Sequence, residues 1–189
     1  MKAFTLALGA AILLTQTAWG STIVYDASLT GAESGSAGSG TATVTINNVA
    51  NTMEVMVAFS GLTSGTAASH IHCCTASTGT GTAGVATDVP TFPGFPLGVT
   101  SGTYDKTFDL TLGGSYNPSF VSANGGTGAG AEAALLAGLA SDTAYLNIHT
   151  TNFPGGEISG FLVPTPEPAT VLLTAAALGG LILRRRARR

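Results

Sequence analysis

The sequence predicts an all-β fold, an antiparallel sandwich or Greek-key barrel carrying one short helix. Two observations point there. Several short segments alternate apolar with small polar residues, and Gly- or Asn-rich turns separate them. Thr41-Ala42-Thr43-Val44-Thr45-Ile46 is the first such segment, a half-buried strand. Asn47 to Asn51 makes a turn, and Met53, Val55, Val57 and Phe59 alternate again, so the two segments form a hairpin. Thr107 to Leu112 is a further alternator, and Ala144 to Thr150 and Glu157 to Val163 close the domain. Gly31 to Gly40 and Asn124 to Gly130 read as Gly-rich loops. Ala131 to Ala140 reads as the helix, with Leu135, Leu136 and Leu139 on its buried face.

Composition sets the class. Of 189 residues 26 are Gly and only 9% are charged, which suits an extracytoplasmic β-domain better than a helical cytosolic enzyme. Between Asp26 and Glu157 there are nine acids and one base, Lys106. Such a surface repels phosphate and excludes nucleic acid as a partner. The sequence holds no G-x-S-x-G elbow, no phosphate-binding loop and no H-E-x-x-H, so nothing marks it as an enzyme.

Both ends read as targeting segments. Residues 1–20 combine Lys2, an apolar stretch from Phe4 to Leu14, and Ala18-Trp19-Gly20, the pattern of an export signal that signal peptidase cuts before Ser21. Residues 21–163 then form one domain, and 164–189 a tail. The chain enters the tail through Val163-Pro164-Thr165-Pro166-Glu167-Pro168, which continues neither a strand nor a helix. The apolar run Ala169 to Leu183 spans roughly 22 Å as a helix, short of a hydrocarbon core of about 30 Å. Arg184, Arg185, Arg186, Arg188 and Arg189 close the chain as a cytoplasmic anchor. Pro166-Glu167-Pro168, an apolar helix and terminal arginines resemble the PEP-CTERM sorting signal. That resemblance implies an exosortase as partner, a transient stay in the inner membrane, and delivery of the domain to the cell surface or extracellular matrix, near extracellular polysaccharide or surface proteins. A plain tail anchor is the other reading.

All three histidines lie in two strand-like segments, Ser69-His70-Ile71-His72-Cys73-Cys74 and Tyr145-Leu146-Asn147-Ile148-His149-Thr150. Residues two apart in a strand share a face, so His70 and His72 point together while Ile71 points inward. By the same alternation, Asn147 and His149 lie opposite Leu146 and Ile148. Two imidazoles about 6.5 Å apart on one strand can face one ion, and a third from another strand completes a three-nitrogen site for copper or zinc. Glu157 would add an oxygen or orient a ring. A hydrogen-bonded polar cluster that fixes two strands is the competing reading.

These blocks, Ala-Ser-His-Ile-His early and Tyr-Leu-Asn-Ile-His-Thr with Phe-Pro-Gly-Gly-Glu-Ile late, resemble the two signature blocks of the CHRD domain, over most of Thr22 to Leu162. The resemblance implies an immunoglobulin-like or superoxide-dismutase-like sandwich. Ser159 stands where that family usually has Arg, which removes any pairing of that Arg with an acidic neighbour. Cys73 and Cys74 are additions to the motif. Being adjacent, they allow a vicinal disulfide, free thiols of which Cys74 would join a soft-metal site, or an intermolecular bridge. In the loop from Asp88 to Leu97, Phe92 and Phe95 are expected to fold back as a lid rather than form a binding surface. The functional expectation is a non-catalytic surface or matrix protein that acts by binding. The alternative is a copper- or zinc-binding extracytoplasmic protein using three histidines, with redox activity as an extension of it.

Overall fold

A computed structural model describes residues 22–165. The expected export signal, Pro166-Glu167-Pro168, the apolar run and the arginine cluster lie outside the described residues. Among the described residues, no helix is long and apolar enough to cross a membrane.

The chain is mostly β. Eight antiparallel strands run as β1 (Thr22–Thr30), β2 (Ser39–Asn47), β3 (Thr52–Ser60), β4 (Thr66–His72), β5 (Gly102–Asp109), β6 (Tyr145–Thr150), β7 (Ile158–Phe161) and β8 (Val163–Pro164). They pair as one continuous ladder in the order β4-β6-β7-β1-β2-β3-β5, with β8 added beside β1. The expected antiparallel architecture is present, as one continuous sheet curled into a half-barrel. Strand twist accounts for the curl, because it accumulates from strand to strand and wraps a wide sheet around its own apolar face.

The β2–β3 hairpin is where the sequence placed it. Asn47 pairs with Thr52 across the turn, and the Asn47 side chain accepts hydrogen bonds from the backbone N–H groups of Val49 and Ala50. Val44 and Ile46 from β2 and Met53, Val55, Val57 and Phe59 from β3 are buried, and the residues between them are not. β1, for which the sequence analysis names no strand, alternates in the same way and buries Tyr25, Ala27 and Leu29. Its polar positions Asp26, Ser28 and Thr30 face outward, which masks the pattern in a segment that opens the domain.

Two helices and a short 3-10 turn replace the single helix expected. α1 (Pro118–Ala123) is capped by the Asn117 side chain and has Pro in its first turn. α2 (Gly128–Ala140) begins inside the segment read as a Gly-rich loop, because the Thr127 hydroxyl caps it by accepting from the Gly130 N–H. Leu135 and Leu139 are buried as expected, and Leu136 is half-buried against the core. Phe92 and Phe95 are buried, stacking on Tyr104 and Phe59 at ring-centroid distances of 5.8 and 5.6 Å. Their loop is therefore a lid over one end of the core.

β4 lies at one end of the ladder, where its outer backbone groups need partners. The long connection from β4 to β5 supplies them. Cys73 N–H bonds to Gly84 O, Ala86 N–H to Ile71 O, and Phe92 N–H to Ser69 O. This covering segment also brings backbone carbonyls over the face that carries the histidines.

Candidate metal centre

β4 and β6 pair antiparallel with His70 opposite Asn147, Ala68 opposite His149 and His72 opposite Tyr145. Ile71, Leu146 and Ile148 fill the core side and are fully buried. The other side of the same strands carries His70, His72, Asn147 and His149, and it is buried as well, since the loops lie over it. This double cover explains why every residue of β6 is buried.

The three imidazoles converge from positions 77 residues apart in the chain. Ring centroids lie 5.3 Å (His70–His149), 5.6 Å (His72–His149) and 5.9 Å (His70–His72) apart. One ring nitrogen from each lies within 4.8 Å of the others. His72 Nε2 and His149 Nε2 are 3.4 Å apart.

Each ring is held from behind by a backbone carbonyl. His70 Nε2 donates to Pro90 O at 2.8 Å, His72 Nδ1 to Ala83 O at 2.9 Å, and His149 Nδ1 to Pro154 O at 2.9 Å. A carbonyl oxygen only accepts, so the nitrogen facing it carries the proton. The opposite nitrogen of each neutral ring is then a bare lone pair: His70 Nδ1, His72 Nε2 and His149 Nε2. His70 Nδ1 is buried and makes no hydrogen bond. The short separation of His72 Nε2 and His149 Nε2 is two acceptors face to face. Tyr145 stacks on His72 at 4.9 Å with an interplanar angle of 11°, and its hydroxyl meets the same Ala83 peptide.

Burial also sets the protonation state. Desolvation pulls the His70 pKa down to about 4, against a smaller upward pull from the Pro90 carbonyl and a further downward one from the two neighbouring rings. His72 and His149 are lowered by desolvation too, each partly offset by its carbonyl partner. All three rings are neutral at pH 7, the state that ligates metal.

Glu157 does not join them. One of its oxygens accepts from the Ser36 hydroxyl and the Thr63 N–H, at 2.7 and 2.6 Å, and the other from the Thr150 hydroxyl at 2.6 Å. Both oxygens are thus engaged away from the rings, and the expected role of Glu157 as ligand or ring-orienting partner does not fit this placement. Burial alone would raise its pKa, but these hydrogen bonds outweigh it and hold the carboxyl below the ordinary value. The carboxylate is satisfied by hydroxyls and an amide, so Ser159 in place of Arg leaves it no worse off. Cys74 is also removed from the ligand set, because it is bonded to Cys73, and a disulfide sulfur has no thiolate to offer. α2 passes this disulfide at Gly138, where any side chain would run into both sulfurs.

The sequence places His70 with His72 and Asn147 with His149, and the β4–β6 pairing brings the two sets onto one face; no task was expected of Asn147, which lies on that face. The sequence also gives no means of finding Ala83, Pro90 and Pro154, whose contribution is backbone oxygen. Among known proteins, no curated protein and no solved structure matches the chain. The model of the CHRD domain family matches residues 25–162, nearly the whole of the described chain including all three histidines, and the protein belongs to the CHRD domain family.

Proposed function

We propose that this CHRD domain is an exported binding module that holds one copper or zinc ion on His70, His72 and His149. One observation carries the reading. Three buried lone pairs meet with their tautomers set by carbonyls, and no donor or cation in the cluster satisfies them. Polar clusters that serve structure alone alternate donors with acceptors; this one presents acceptors only, which suits a cation. Nitrogen donors favour copper and zinc over harder ions.

The purified protein should bind one equivalent of Cu(II) or Zn(II), with Cu(II) tighter by the usual divalent order. Isothermal titration and electron paramagnetic resonance read stoichiometry and nitrogen ligation. Absence of binding, or equal binding by the His70→Ala, His72→Ala and His149→Ala variants, would remove the metal from the proposal.

The setting of this module is the cell surface or matrix. Support comes from the export signal at 1–20 and from the Pro166-Glu167-Pro168 tail with its arginines. Signal peptidase and an exosortase would process the ends, and extracellular polysaccharide or surface proteins would be the neighbours. Intact-mass measurement of surface material should find a form lacking 1–20 and the apolar run. Recovery of full-length chain alone, in the inner membrane, would overturn the sorting proposal.

A further inference from the structure

Three buried side-chain nitrogen or oxygen atoms among the described residues have no hydrogen-bond partner: His70 Nδ1, Asp142 Oδ1 and Asn147 Oδ1. Two of the three belong to residues that face each other across the β4–β6 ladder, His70 and Asn147. Asn147 is 5% exposed and lies two residues from His149 on the same face of β6. Its amide orientation is fixed. The Asn147 Nδ2 group donates to Gly155 O at 3.1 Å, and since that carbonyl only accepts, the free atom of the amide is the oxygen.

The turn that follows His149 is shaped around this amide. Pro154 O accepts a hydrogen bond from His149 Nδ1, and the next carbonyl, Gly155 O, accepts one from Asn147 Nδ2. Gly156 then lies flat against the amide at a φ of 123°, and a side chain there would collide with all three terminal atoms of Asn147. A glycine at that φ is needed on both counts, conformation and space. The chain thus spends two carbonyls and a glycine on holding one ring nitrogen and one amide oxygen in place.

A buried amide oxygen without a donor is destabilising, because it has given up water and gained no partner. Three neutral imidazoles bring no negative charge to a divalent ion, and a water on that ion has its O–H bonds polarised outward. Such a water answers the oxygen's lack of a donor.

We propose that Asn147 is a positioning residue for the metal's open coordination position: its Oδ1 accepts a hydrogen bond from a metal-bound water, so the site prefers small proton-bearing oxygen ligands to anions that carry no proton. This rests on the three-histidine metal reading. Asn147 acts on the ion through the water, and the three histidines supply the direct bonds.

The test loads the whole protein with Cu(II), then adds azide, an anion without a proton, and follows its charge-transfer absorption. Electron–nuclear double resonance in oxygen-17 water reads the bound solvent. The wild type should show a coordinated water and take azide weakly. Asn147→Ala should keep one copper per chain, shift the water signal, and bind azide about tenfold more tightly, because the competing water has lost its hydrogen bond. Asn147→Asp restores an acceptor and should return azide affinity to the wild-type value or below it. An unchanged water signal with azide affinity within about twofold in Asn147→Ala overturns the proposal. So does a folded Asn147→Ala that no longer holds copper, since the amide would then be a direct ligand or part of the scaffold. If Asn147→Ala does not fold, Asn147→Asp decides, and tighter azide binding than wild type overturns the proposal. A wild type that takes no copper fails before azide is added, and that failure belongs to the metal reading.

Discussion

Replacing His149 with leucine should abolish metal binding and leave the metal-free fold as stable as before, or more so. His149 supplies one of three ligands, so affinity should fall by more than about 100-fold, the upper range for loss of a mere supporting partner. The metal-free protein responds in the opposite sense. His72 Nε2 and His149 Nε2 face each other at 3.4 Å as two acceptors, and removing one relieves that opposition. The carbonyl released, Pro154 O, belongs to an exposed turn residue and can turn to water. Leucine adds apolar burial, so a gain of about 1 kcal/mol is expected at pH 7 in the presence of chelator.

The pH profile separates the cases further. In the folded protein the histidine pKa values are depressed, to about 4 for His70, whereas unfolded histidine titrates near 6.5. Between these values the unfolded chain binds more protons than the fold. Stability is therefore full above about 6.5 and is lost as pH falls toward 4. His149→Leu should flatten part of that slope. Denaturant unfolding across pH 4 to 8 measures it. A variant less stable than wild type by more than 1 kcal/mol at pH 7 would mark the rings as a structural cluster instead.

Glu157→Ala should damage the fold itself. The Glu157 carboxylate is 1% exposed and accepts three hydrogen bonds that tie Ser36, Thr63 and Thr150 together. The Ser34 hydroxyl also donates to the Glu157 backbone carbonyl at 2.6 Å. Removing the acid breaks three charge-assisted hydrogen bonds and leaves Thr150 as a buried hydroxyl with no acceptor, at an expected cost of about 3 kcal/mol. That is a large part of the 5–15 kcal/mol typical of a domain. Glu157→Gln keeps an acceptor for Ser36 and Thr63 and should cost less than half as much. Because the folded carboxyl has a lowered pKa, its contribution is present above the ordinary value and is lost as pH falls through the lowered one. Metal affinity should be unchanged in any Glu157 variant that folds. Equal stability of Glu157→Ala and wild type in urea would show that the three bonds hold nothing.

What the sequence revealed and what it hid follow from how each residue acts. The histidines were legible because the two-residue period of a strand places His70 with His72, and Asn147 with His149, on defined faces. Their convergence was not legible, since it depends on β4 pairing with β6 across an intervening β5 and two helices. Glu157 misled for a related reason. Its position one residue past the Pro-Gly-Gly turn brings it near His149 along the chain, but two of the three bonds its side chain makes are with Ser36 and Thr63, more than 90 residues away, and the third is with Thr150 rather than with a ring. The cysteines left three outcomes open because adjacency fixes no partner. The expectation of a sandwich or barrel foresaw antiparallel strands and not their joining into one ladder, which is decided by β7 pairing with β1 through a single residue pair, Thr30 with Ser159.

The lopsided charge has a kinetic consequence. Nine carboxylates and one ammonium group between Asp26 and Glu157 give the domain a negative far field, while the histidine cluster itself is neutral. Free cations are drawn toward this surface from beyond contact distance and free anions are turned away, within a Debye length of about 8 Å at physiological salt. On the proposed metal reading, capture of an ion would be hastened without any acid touching it, and the hastening would fade as salt is added, while the hold of the three nitrogens on a seated ion would not.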